Sequence, residues 1–501
     1  MTLPSSHRPS IAPSPNGRWA VVQAMALAVV AAGVYVLLRQ DVTHEFDVYW
    51  MLPRIEDGAL ENARHPLSFY LAHSLASLLD GFGSVHERLK IASGLCVGLA
   101  VGILAHAAWL LCRKLSTALL VALVFAALPT TVRFATVMEL HGQFLPFAAA
   151  VLWLASAIAA GGFRWPVGLL LGGLSALATA VHSTGHLLVG FVSLWLLLSW
   201  WRARVPMRRV VAALGSFVVV HAVGSQLISL WAVADGGAAA SASAQLETLA
   251  PRTFSSSGLW ATVVGEWLWP YLPLSVLWLR SLWPRPSALV VAFSLALLAN
   301  LAACQSLLAR PGPGYIFFEF GAYQLPIAFA AVVITVVALG PRMRIALLIG
   351  TLALSAYHWR YPGKPIADPV FAAAAVDYLQ GNEVRLLVGD ADEFDGTYAL
   401  LRQQDALRSR YQDLVCVRQF VLTAQVLGAT RSDELALGLH PKLIGRETVL
   451  TDSAMELLRQ QGGIFTELVE RSLPAVFELV PVERSLPGGG HLSGVRLRPR
   501  P

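Results

Sequence analysis

About eleven apolar runs, each near the ~20 residues that a helix needs to cross a bilayer, constrain this chain more than any other feature. They fall at Trp19–Leu38, Leu89–Cys112, Ser116–Phe134, Phe144–Ala160, Trp165–Val181, Leu187–Trp201, Val210–Trp231, Trp260–Leu279, Ala288–Leu308, Gln324–Leu339 and Ile345–Tyr357. The runs on either side of His182 and His186 also read as one broken hairpin. With 56% hydrophobic and 14% charged residues, the 501-residue chain is too oily for a soluble globule. The expectation is an α-helical polytopic membrane protein carrying one soluble piece.

Basic residues set the expected orientation. Arg113-Lys114, Arg164, the run Arg202 to Arg209, Arg280 with Arg285, and Arg342 with Arg344 occur at alternate loops. A cytoplasmic N-terminus puts all of them inside, as the positive-inside rule asks. Residues 1–18 then form a cytoplasmic tail followed by an uncleaved anchor. Residues 19–358 form the transmembrane domain, with a first outer loop at 39–88, and residues 359–501 form an extracytoplasmic domain. The expected location is the inner (plasma) membrane. The net charge of +6 needs no nucleic acid to explain it, because the arginines flank apolar segments. The four cysteines show no metal or disulfide spacing.

The outer loops hold the polar chemistry. Asp41 to Tyr70 carries Asp41, Glu45, Asp47, Glu56, Asp57 and Glu61 with Arg54, Arg64, His44 and His65. Two short interfacial helices are expected there, one over Val48–Glu61 broken at Pro53 and one over Leu67–Asp80. Arg133, Glu139 and His141 lie in a second outer loop, His182 and His186 flank a third, and Tyr315 and Glu319 lie in RPGPGYIFFEFGAYQLP. Water-solvated loops are the plain reading, and a lone buried histidine is more often packing than ligand. Ionisable groups at membrane depth are costly, however, and several on one side point to a shared cavity.

From Ala367 the pattern becomes that of an α/β unit: a helix over Ala367–Gln380, strands at Val384–Gly389, Leu414–Arg418 and Ala475–Val482, and helices through Ala399, Glu434 and Thr451–Glu470. Asp390, Asp392, Glu393 and Asp395 are expected in a loop after the first strand. They lack the full calcium-loop pattern, so a solvated loop is favoured over a metal site.

These pieces together resemble the GT-C superfamily of integral-membrane glycosyltransferases. MELHGQFLPFAAAVLWLA, GLSALATAVHSTGHLL and VRLLVGDADEFDGTYALL are similar to a multi-spanning branch. That branch includes the eukaryotic protein O-mannosyltransferase acting on plexin-type receptor domains, together with bacterial members. Its first loop usually carries a D-x-x-E pair and HPPG. Here the acids are Glu45 and Asp47, the spacing to His65 is longer, and Leu67 replaces the second proline. The resemblance implies a GT-C-like fold, a sugar donor on a polyprenyl phosphate, and a protein, glycan or lipid acceptor on the outer face.

Transfer from a lipid phosphate needs a base for the acceptor hydroxyl and groups that steady the departing phosphate. Asp47 is the expected base, with Glu45 in reserve. His65, Arg133 and His141 are expected at the phosphate, and Glu139, His182, His186, Tyr315 and Glu319 complete the expected donor site. No cofactor is expected and no metal ligands are assigned, with a divalent metal left open. A transporter or flippase of a lipid-linked saccharide is the alternative, but it calls for internal repeats and polar groups along both halves of a pathway. A non-enzymatic scaffold leaves the acidic first loop unexplained.

Overall fold

The computed structural model describes residues 15–40, 47–56, 58, 65–161, 164–203, 206–234, 256–283, 285–308, 320–359, 369–389 and 391–403, scattered positions within 407–424, and 429–500 except 488. The chain divides into two compact units, one of Met1–His44 with Trp50–Tyr361, the other of Glu45–Tyr49 with Pro362–Pro501.

The first unit is helical. It comprises α1 (Pro15–Leu37), the part of α2 (Asp47–Glu56) from Trp50 on, α3 (Ser68–Leu78), α4 (Val85–Cys112), α5 (Leu115–Ala126), α6 (Pro129–Thr136) and α7 (Leu140–Gly161). Next come α8 (Trp165–Val181), α9 (Thr184–Ala203), α10 (Met207–Ala234), α11 (Ser256–Val263), α12 (Ala288–Leu308), α13 (Leu325–Ala338) and α14 (Pro341–Trp359). By length and composition, five described helices can cross a membrane, or six if α5 and α6, bent by 63°, count as one. Three more apolar helices are shorter.

Two expectations here need correction. The run Trp260–Leu279 is not one helix: α11 ends in a π turn at Val264–Leu268, and only short helical pieces follow. Pro270 and Pro273 explain the break, since proline removes a backbone donor and crowds the preceding turn. Conversely, α2 runs continuously through Pro53 to Glu56.

Small residues let the helices approach closely where apolar burial alone gives little drive in lipid. On α4, Gly98 and Gly102 lie so near α1 that an added Cβ would come 2.5 Å from the Cβ of Ala32 and 2.6 Å from that of Ala28. Gly98→Leu is therefore expected to force α1 off α4, destabilising by about 1–3 kcal/mol from overpacking. Gly190→Leu, with open space around it, should be tolerated. The measurement is the thermal midpoint of each purified variant in detergent, and equal midpoints would reject this packing.

The second unit is a five-stranded sheet of order β2-β1-β3-β5-β4. Its strands are β1 (Val384–Val388), β2 (Leu414–Cys416), β3 (Glu447–Thr451), β4 (Phe477–Ser485) and β5 (His491–Pro499). β1 pairs in parallel with β2 and β3, whereas β5 runs antiparallel to both β3 and β4. Helices cover both faces, because β1 buries Leu386 and Val388 in one core and Leu387 in the other.

Two strands, β3 and β5, were not expected. The expected helix from Thr451 to Glu470 stops at Gln461, and a left-handed Gly462-Gly463 pair turns the chain before a second helical stretch. The expected acidic loop is also corrected. A helix, α15 (Pro369–Gly381), precedes β1, and α16 (Ala391–Gln403) starts at once behind it, so Glu393 lies in a first helical turn. The Glu393 carboxylate accepts a hydrogen bond from the Ser453 hydroxyl, and an added Cβ on Gly389 would strike the Ser453 backbone. The crevice between the carboxyl ends of β1 and β3, where an open α/β sheet usually takes a ligand, is thus filled by the chain itself. Asp390 lies outside the described residues, as do the side chains of Asp392 and Asp395.

Candidate functional site

Loops of the helical unit are stitched to their neighbours by hydrogen bonds, each with a backbone group on at least one side. The Leu67 N–H donates to the Ala180 carbonyl at 3.0 Å, which ties the His65-Pro66-Leu67 turn to the end of α8. The Ser183 N–H donates to His65 Nδ1 at 3.1 Å. The Thr130 hydroxyl on α6 donates to the Phe320 carbonyl at 3.1 Å.

The outcome is a column of imidazoles. His65 stacks on His182 with ring centroids 4.5 Å apart, and His141 lies tilted against His182 with centroids 4.2 Å apart. Tyr323 meets His141 edge-on at 5.8 Å. His141 and His182 are buried, and His65 is half-buried. Phe134 and Phe144 wall the column at 5.1 and 5.6 Å.

The backbone fixes the tautomers of two of these rings. An amide N–H can only donate, so His65 Nδ1 is an acceptor. His182 Nδ1 likewise accepts from the Thr184 N–H at 3.2 Å, with the Thr184 hydroxyl 2.8 Å away. In the neutral rings the proton therefore sits on Nε2, which makes each a donor. His182 belongs to the turn between α8 and α9. Burial, with added repulsion from His141 and His65, holds its pKa well below the usual 6.5.

That shift predicts a pH dependence. Below pH 6.5 an unfolded His182 takes up a proton that the native ring refuses, so the unfolded state binds more protons and stability falls. Above pH 6.5 both states are neutral and the effect vanishes. The thermal midpoint in detergent is expected to drop as pH falls from 7.5 toward 5, and to drop less in His182→Gln. An identical pH slope in both proteins would reject the assignment.

Arg133 lies on α6 next to Phe134, its guanidinium 4.9 Å from the Phe320 ring centre. Phe320 (φ +50°) and Gly321 (φ +79°) form a left-handed turn. Tyr271 OH donates to the Gly321 carbonyl at 2.7 Å, and the Gly321 N–H donates to Glu266 Oε2 at 3.2 Å. A Cβ at Gly321 would come 2.6 Å from the Tyr271 ring, so only glycine fits. Glu139 caps α7, its carboxylate accepting the His141 N–H at 2.8 Å, as an acid at a helix N-terminus should.

The base of the first loop is fixed too. Gln40 bonds Thr136 through its backbone N–H (2.9 Å) and its side-chain amide (3.1 Å). Lys90, fully buried, donates to the Gln40 carbonyl at 2.9 Å and pairs with Glu87, which also meets Arg39 at 3.3 Å. On the far side of the loop, His73 Nδ1 donates to the Ile55 carbonyl at 2.9 Å and Arg54 lies over Phe69, seating the end of α2 on α3.

Of the expected site residues, the structure gathers His65, His141 and His182, and it sets Arg133 and Glu139 on the elements that carry them. His186, by contrast, is exposed on α9 while His182 is buried. Glu45, Tyr315 and Glu319 lie outside the described residues, as does the side chain of Asp47, whose backbone opens α2. Sequence reasoning missed Thr184, Tyr323, Lys90 and Glu266. The last two carried a readable signal, a charge inside an apolar run.

These features define a polytopic membrane protein with a soluble α/β unit and a histidine-lined polar site where its loops meet. No family sequence model matches the chain, and no curated protein matches it in sequence. Among solved structures it is similar to ArnT from Cupriavidus metallidurans bound to undecaprenyl phosphate. That match has 16% identity and a TM-score of 0.54, covering 96% of this chain and 98% of the other. The apo form of ArnT matches with 15% identity, a TM-score of 0.51 and the same coverage. The chain thus shares the fold of ArnT, and its long apolar helices make it an integral membrane protein.

Proposed function

We propose that this protein is a glycosyltransferase that moves a sugar from a polyprenyl-phosphate donor to an acceptor on the extracytoplasmic face. The observation that carries the reading is the imidazole column, with Arg133 one residue from the Phe134 that walls it, set in a GT-C fold whose solved neighbour holds undecaprenyl phosphate. His65 and His182 are fixed as neutral donors, and Arg133 supplies a permanent positive charge. Such a set suits a phosphate whose negative charge grows as it leaves, because charge-assisted donors strengthen as the oxygen becomes more anionic.

In this reading Asp47 accepts the proton of the acceptor hydroxyl, with Glu45 as its alternate. The freed oxygen bonds the anomeric carbon as the bond from that carbon to the phosphate oxygen breaks, and the polyprenyl phosphate departs. His65, His141, His182 and Arg133 hold the phosphate, while Glu139 keeps His141 in place by capping its helix. Tyr315 and Glu319 belong to the loop proposed to line the donor entrance. The N-terminus is cytoplasmic and the α/β unit extracytoplasmic, as the arginine-rich loops ask.

The test is a cell-free assay of purified protein with a panel of polyprenyl-phosphate sugars, scoring loss of donor and release of polyprenyl phosphate. One or a few donors should be consumed when acceptor-bearing membranes are added. If the sugars remain lipid-linked throughout but move between leaflets of a proteoliposome, the protein is a transporter instead.

A further inference from the structure

A concavity of about 450 Å³ opens at the far end of α8 from His182, lined by Arg164, Trp165, Pro166, Arg208, Arg209 and Ala212. With 17 residues at 1.5 Å each, α8 separates it from the imidazole column by roughly 25 Å. It is therefore not part of the donor site.

Its walls are two parallel helix starts. On α8, an added Cβ at Gly168 would strike the Ala213 carbonyl of α10, and one at Gly172 would come 2.7 Å from the Phe217 carbonyl. One at Gly224 of α10 would come 3.0 Å from Ala176. Both numberings rise together, so α8 and α10 run side by side in the same direction and their N-termini share one end. The first turn of α8 holds Pro166, and its N-cap Arg164 makes no side-chain cap. Arg208 and Arg209 occupy the first turn of α10, which has no acidic residue.

This arrangement is one-signed. Helix N-termini are the positive ends of their dipoles, so arginine there is unfavourable without an anion. No Asp or Glu occurs between Glu139 and Asp235, whereas five arginines do. Of these, Arg202 donates to the Pro286 carbonyl at 2.6 Å. Among the described residues no carboxylate pairs with Arg164, Arg208 or Arg209. All three are exposed, so an anion can reach them from outside the chain. Along the same helices, Trp165, Leu170, Met207, Val211 and Val218 expose large apolar side chains. A headgroup in the concavity would thus have its acyl chains against an apolar wall.

We propose that this concavity binds the anionic phosphodiester headgroup of a membrane glycerophospholipid, in the leaflet opposite the imidazole column. Basic pockets between membrane helices recognise acidic lipids in this manner. The bound lipid supplies the charge that α8 and α10 lack and steadies the pair.

The test follows thermal unfolding of delipidated, full-length protein in mixed micelles containing phosphatidylglycerol or phosphatidylcholine, and in micelles with inorganic phosphate alone. Phosphatidylglycerol is expected to raise the midpoint in proportion to its mole fraction, whereas phosphatidylcholine and free phosphate leave it unchanged. Arg208→Gln with Arg209→Gln should abolish the rise. Arg285→Gln with Arg342→Gln, removing the same charge from exposed sites elsewhere, should keep it. Should the first pair fold poorly, Arg208→Lys with Arg209→Lys retains the charge and should retain most of the rise. An equal rise with phosphatidylcholine, or a rise that survives Arg208→Gln with Arg209→Gln, would overturn the proposal. A rise with inorganic phosphate matching that with lipid would also overturn it, in favour of a soluble-anion site. Sugar transfer is not the readout, so the result stands apart from the reading of the imidazole end.

Discussion

Asp47→Asn is expected to leave the protein inserted and folded while sugar transfer falls by roughly 10²–10⁴-fold, the usual loss when a general base is removed. The substitution keeps shape and hydrogen-bonding capacity but removes the charge that accepts the proton. Asp47 is the first residue of α2, and the far end of that helix is seated on α3 by the His73 bond to Ile55. Glu45→Gln should be the milder change. The measurement is the initial rate of donor consumption with each variant matched for folded protein. Full activity in Asp47→Asn would refute the assignment, and equal damage from Glu45→Gln would transfer the role to the pair.

His182→Ala is expected to cost about 3–5 kcal/mol of stability, the range for deleting a large buried ring. Part of that is the cavity left against His65 and His141, whose centroids lie 4.5 and 4.2 Å from that of His182. The rest is the Thr184 N–H, which loses its acceptor. His182→Phe refills the space but not the acceptor, so it should cost only about 1–3 kcal/mol. Denaturation of both variants in detergent at pH 7.5 measures this. Equal stabilities for Ala, Phe and wild type would show that the column is not a structural unit. If His182→Phe folds but its KM for the lipid donor rises with kcat preserved, the ring serves the donor as well as the fold.

Much of the helical unit was legible because apolar runs have few alternatives to helix in a bilayer. The histidines stood out for a related reason: titratable groups among apolar neighbours are expensive and rarely incidental. Their stacking was not legible, since it depends on Leu67 meeting Ala180 and Ser183 meeting His65, contacts between loops more than a hundred residues apart. Glu266 was readable but overlooked, being one acid in the aromatic run WLWPY and its neighbours. The helical start at Ala391 was readable as well, because acids cluster in its first turn, where the dipole favours them. β3 and β5 are harder. Glu447–Thr451 is only five residues long, and Arg496 and Arg498 break the apolar character of the last strand.

The two anchors at the ends of the first loop have an entropic consequence. Gln40 is tied to Thr136 and Lys90, His65 is tied to Ser183, and 24 residues separate them. Bringing together the ends of a chain segment that long costs about 3 kcal/mol beyond the fixed contribution of closure. Here that loss is met once, when the helices assemble, by bonds that exist before any substrate arrives. The residues proposed to act on the acceptor and on the phosphate therefore begin each encounter as parts of one closed ring. The binding energy of a substrate is therefore not spent on closing the ring and is left for the reacting groups.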